Sequence, residues 1–119
     1  MKTYRQAITA QRELHLISGK VKDTVTALRL FRQRKKLDEA VEFVVERQKA
    51  IMEETGTSYD ENGMWIYPDD DTREMFDRMN ADLLDTEVEI EPVTVKAAAI
   101  PGLSVDDIAT LYGFVEVEE

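Results

Sequence analysis

The chain reads as an α+β domain in which a long antiparallel helical hairpin packs with a small antiparallel β-sheet and a short C-terminal helix. Three observations lead there: helical spacing of apolar residues over the first half, a change to alternating apolar and acidic residues in the second, and a late Ser-capped helical segment. The whole of 1–119 is expected to be one domain, with a basic helical part over 1–56 and an acidic mixed part over 57–119.

In order, Thr3–Ile17 predicts a first helix, with Ala7, Ala10, Leu14 and Ile17 spaced 3, 4 and 3, and Ser18-Gly19-Lys20 as its break. The lone His15 lies beside this stripe with no partner or nucleophile at a telling spacing, so a boundary histidine is expected. From Val21, residues Val25 and Leu28 continue a stripe whose phase then shifts within Leu30–Lys36. That shift means either a bend or one helix showing two faces to two neighbours. Leu37–Gly56 is expected to be the organising helix. Its stripe of Leu37, Val41, Val44 and Ile51, spaced 4, 3 and 7, forms the seam of a coiled coil or tight hairpin, and Gly56 is the φ > 0 stop. This seam is also the candidate surface for a homo-oligomer, since a small chain gains burial by pairing.

Beyond Gly56, Tyr59–Gly63 is a turn signal and Met64–Tyr67 a short strand ended by Pro68. A calcium loop centred on Gly63 would use Ser58, Asp60, Asn62 and Asp69, but it begins with Ser and ends with a short Asp, so the turn is the better reading. Asp69-Asp70-Asp71 reads as the cap of a helix through Leu84, with Met75 or Phe76, Met79 and Leu83 on its inner face. Glu87, Glu89 and Glu91 alternate with Val88 and Ile90, which predicts a half-buried edge strand. It is interrupted at Pro92, resumed over Val93–Val95, and expected to pair with Met64–Tyr67. Ser104 should cap a helix over Val105–Tyr112, and Phe114–Glu118 alternates again as a third strand or a tail.

Net charge is −10, yet residues 1–50 carry 12 Lys/Arg against 6 Asp/Glu while residues 51–119 carry 3 against 19. The halves are expected to neutralise each other, within the chain or head to tail between copies. The basic run of Arg29, Arg32, Arg34, Lys35 and Lys36 beside Phe31 has the composition of a phosphate-binding stretch, but the acidic half competes for it, and direct nucleic-acid binding is not expected. With no cysteine there is neither a disulfide framework nor a thiolate metal site. No apolar run approaches the roughly 18 residues that cross a bilayer, and no leader pattern opens the chain, so a soluble, unexported protein is expected.

The order of parts resembles a family of small uncharacterised proteins of tailed phages and prophages from Gram-positive bacteria. The likeness spans roughly residues 20–115: the basic helical segment, the helix with Arg47-Gln48-Lys49, the Asp60-Glu61-Asn62-Gly63 turn and its strand, the acidic helix, Glu87–Glu91, and the Gly102-Leu103-Ser104-x-x-Asp107-Ile108 helix. The resemblance implies a phage or prophage product in the host cytoplasm or the virion, and carries no catalytic residue onto this chain. The expected function is therefore non-enzymatic and cofactor-free: assembly or another protein-protein interaction, with self-association through Leu37, Val41, Val44 and Ile51. The alternative is an acidic mimic of nucleic acid that inhibits a host defence nuclease, with Glu87, Glu89 and Glu91 among the carboxylates imitating phosphates.

Overall fold

One helix sets the dimensions of the molecule. In the computed structural model, which describes residues 2–119, helix α2 runs unbroken over Thr24–Thr55. At 1.5 Å per residue its 32 residues span about 48 Å, close to the 52 Å long axis of the fold. It starts where Asp23 accepts the Thr26 amide and stops where Gly56, at φ 70°, donates its amide to the Met52 carbonyl. The helix expected to begin at Leu37 is therefore the second part of a longer one. The phase shift is the second of the two cases, one helix with two faces.

The face turned inward is Thr26, Leu30, Gln33, Leu37, Ala40, Val44, Ile51 and Thr55, a stripe at alternating spacings of mostly 3 and 4. Two cores sit along it. The larger one joins Leu30, Leu37 and Ala40 to helix α1 (Tyr4–Ile17), through Ala7, Ala10, Leu14 and Ile17, and to the C-terminal part, through Ile100, Leu111 and Phe114. Thr3 and Gln6 form a reciprocal cap at the start of α1, and a single 3₁₀ turn, Ser18–Lys20, reverses the chain into α2. The smaller core joins Ile51 and Met52 to Phe76 of helix α3 (Asp70–Leu84), with Trp65 and Tyr67 edge-on to the Phe76 ring. The fold class is α+β, as expected, with α1 and α2 forming the antiparallel pair.

The sheet expectation is corrected in two respects. Strand β1 (Ser58–Tyr59) pairs antiparallel with β2 (Trp65–Ile66) as an isolated hairpin, so β2 does not meet the Glu87–Glu91 segment. Strand β3 (Val93–Lys96) pairs in parallel with β4 (Val115–Glu118), joined through helix α4 (Val105–Leu111), whose start is closed by a Ser104–Asp107 capping box. A parallel pair needs a crossover of about a dozen residues or more, and residues 97–114 supply one.

Residues 88–92 are extended but not a strand, because their backbone is held from other directions. The Val88 amide donates to the Lys2 carbonyl at 2.9 Å, the Lys2 ammonium donates to the Ile90 carbonyl, and Gln33 Nε2 donates to the Glu91 carbonyl at 2.9 Å. Pro92 has no amide to offer. The inferred alternation nonetheless holds, with Val88 and Ile90 buried and Glu87, Glu89 and Glu91 exposed.

Candidate interaction surface

The two sets of candidate residues have opposite fates. Leu37, Val44 and Ile51 are 0%, 1% and 5% exposed within a single copy, and Val41 is half-buried on the flank of the seam. The seam expected to join two copies is thus consumed by the chain itself, because α1 and the C-terminal part cover its first half and α3 its second. The glutamates Glu87, Glu89 and Glu91 all face solvent.

The exposed apolar surface lies elsewhere on α2. Val25, Leu28 and Phe31 are 62%, 47% and 61% exposed, on the side opposite Leu30 and Gln33. Their apolar spacing was legible, but the inward positions beside them are held by polar residues. Gln33 is completely buried, and its Nε2 donates to the carbonyls of Glu91 and Phe114 at 2.9 and 2.8 Å, fastening the C-terminal part to the helix. Those carbonyls select an amide for the inner face and leave the aliphatic residues of neighbouring turns outside.

Around this strip stand Arg29, Arg32, Lys35 and Lys36, all exposed. The four ion pairs among the described residues are Arg5–Asp85, His15–Asp38, Arg73–Asp77 and Lys96–Glu118, so none of the four cations is within 4.0 Å of a carboxylate. Arg29 instead donates to the Thr94 carbonyl at 3.3 Å. The acidic half packs along this stretch of α2 through the backbone of Glu91 and Thr94, but among the described residues it makes no ion pair with the basic run. Arg5–Asp85, at 3.2 Å, is the pair that joins the two halves.

About three turns further along α2 is a groove of about 570 Å³ between the helix and the Glu87–Ile90 segment. Ala40, Phe43, Val88 and Ile90 form its apolar floor, with Tyr4 at 5.3 Å from the Phe43 ring. Glu39, Glu87 and Glu89 stand on its rim, and Lys36 at one end is the single cation lining it.

The other candidates are structural. Asp60 Oδ1 accepts the amides of Asn62 and Met64 at 2.8 and 2.9 Å, closing the β1–β2 turn with Gly63 at φ 79°. Asp69 caps α3 by accepting from the amide and hydroxyl of Thr72, and those bonds hold its carboxyl below the usual range. His15 does have a partner, Asp38 Oδ1 at 3.0 Å, which also accepts from Gln11, so the ring ties α1 to α2. Burial works against the Asp38 charge, but the hydrogen bonds from His15 and Gln11 prevail and its pKa is lowered. Among the described residues, no helix is long and apolar enough to cross a membrane. No protein-family model, curated protein or solved structure matches this chain.

Proposed function

We propose that this protein acts without catalysis, through protein-protein contacts, as an assembly component of a tailed phage or prophage, in the host cytoplasm or the virion. The observation that carries the reading is the strip of Val25, Leu28 and Phe31, three large apolar side chains exposed in one place and edged by unpaired cations. Such a patch costs solubility unless a partner covers it. Its basic edge sets orientation and on-rate more than affinity.

A second reading, an acidic inhibitor that occupies the nucleic-acid groove of a host nuclease, is favoured by a different observation. Glu87, Glu89 and Glu91 are all exposed along one extended segment of a chain with net charge −10. Retention of host and virion proteins by immobilised wild type, by Leu28→Asp/Phe31→Asp, and by Glu87→Gln/Glu89→Gln/Glu91→Gln separates the two. Assembly predicts a virion component that is lost with the first variant and kept by the second. A nuclease that is kept by the first variant and lost with the second would replace assembly by inhibition.

A further inference from the structure

We infer that the partner of the apolar strip is the β1–β2 hairpin of a second copy of this chain, so that copies join head to tail. That hairpin carries an open apolar patch of its own. Ser58 pairs with Ile66 and Tyr59 with Trp65, so Trp65 turns toward Phe76 while Ile66, and Met64 two residues before it, lie on the opposite face. Met64 and Ile66 are 66% and 47% exposed there.

The charge around the two patches is of opposite sign. Residues 20–36, which hold the strip, carry seven Lys/Arg and a single carboxylate, Asp23, which is occupied as the cap of α2. Residues 53–71, which hold the hairpin, carry seven Asp/Glu and no Lys/Arg. Among the described residues, neither group takes part in an ion pair. Within one copy they stay apart, because Phe31 and Thr55 are about 36 Å from each other along one unbroken helix. A second copy covers both apolar patches at once and brings a basic edge to an acidic one. The net charge of −10 opposes contacts between acidic surfaces, which leaves the basic strip as the surface that another copy approaches. Because unlike patches meet, the contact is heterologous: each pair leaves one strip and one hairpin free, and a third copy adds at either end.

This contact rests on the interaction reading above, but the two fail separately. Sedimentation equilibrium across a micromolar dilution series is run on the wild type, on Leu28→Asp/Phe31→Asp and on Met64→Lys/Ile66→Lys, with circular dichroism confirming that each is folded; the substituted residues are exposed. The wild-type mass is expected to rise with concentration past twice that of the chain. Each variant alone should associate at least tenfold more weakly. Their equimolar mixture should stop at two chains, because the intact strip of one meets the intact hairpin of the other and both outer ends are blocked. Glu53→Lys/Glu61→Lys changes only exposed charge beside the hairpin, and it should weaken association about tenfold even if the Met64/Ile66 variant does not fold. A wild type that stays monomeric throughout overturns the contact, as does a mass that stops at two chains or one that the variants leave unchanged. If the monomer holds a virion protein through Leu28 and Phe31, the interaction reading survives; if it holds none, both fail.

Discussion

Gln33 shows how much one side chain decides. A glutamine in the middle of a long helix reads as surface, and here it is buried without its Oε1 finding a partner, because its two amide hydrogens satisfy carbonyls 58 and 81 residues away. Glu13 is a second case in which context reverses expectation. It faces Asp107, and the shared hydrogen bond, then burial, then the charge of Asp107 raise its pKa above the ordinary 4.5, with Lys20 opposing. A raised carboxyl pKa means that the fold favours the protonated form. The stability linked to it is fully present below the unfolded value and is lost as pH rises through the folded one. Glu13→Gln should therefore raise Tm at pH 7 by about 2 °C, for roughly 0.5 kcal/mol at a half-exposed site. The gain should disappear below about pH 4 in thermal melts. Asp38 has the opposite sign, its lowered pKa contributing stability above the unfolded value that is lost on acidification.

At the level of elements, α2 resolves into a seam and a ridge. The seam holds the fold, so its residues respond to substitution as core. Val44→Glu places an unpaired charge where 1% of the side chain is exposed. It should cost about 3–5 kcal/mol, read as a lower urea midpoint. Val41→Glu, on the half-buried flank, should cost only about 1 kcal/mol. If Val44→Glu unfolded no more easily than wild type and changed only the mass of the assembly, the assignment of this seam to the interior of one copy would be wrong. The helix ends, by contrast, are local devices. Asp23, Asp69, Ser104 and Gly56 do what their residue types do at caps elsewhere; the last three were legible from their positions, whereas Asp23 was passed over because the organising helix was expected to start at Leu37.

Across the whole molecule, the basic run of α2 makes no ion pair among the described residues. The ridge of Val25, Leu28 and Phe31 stays open to solvent, and the groove edged by Glu39, Glu87 and Glu89 lies further along the helix. An open basic strip beside an aromatic ring, Phe31, is also what single-stranded nucleic acid would use. The neighbouring carboxylates of Glu39, Glu87 and Glu89 repel a phosphate chain, and a net charge of −10 opposes its approach. Fluorescence anisotropy with labelled DNA and RNA is expected to show no binding at physiological ionic strength. A salt-dependent affinity that vanishes when Arg32, Arg34, Lys35 and Lys36 become Ala would refute this.

Sequence alone determined the features whose causes lie within a few residues of each other. These are the caps at Asp69 and Ser104, the left-handed stop at Gly56, the Asp60 turn, the alternation that buries Val88 and Ile90, and the unequal charge of the two halves. Only the tertiary structure decided which stripe of α2 turns inward and which strands pair. Thr26, Gln33 and Thr55 occupy the seam while Val25, Leu28 and Phe31 are left outside, an inversion that hydropathy cannot predict. The reason is that a buried polar group is selected by distant backbone groups that need it, as Gln33 is by Glu91 and Phe114. In the same way, β3 takes β4 and not β2 as its neighbour because α4 carries the chain back to it in parallel. The hairpin keeps β2 for itself through a turn that closes within a few residues.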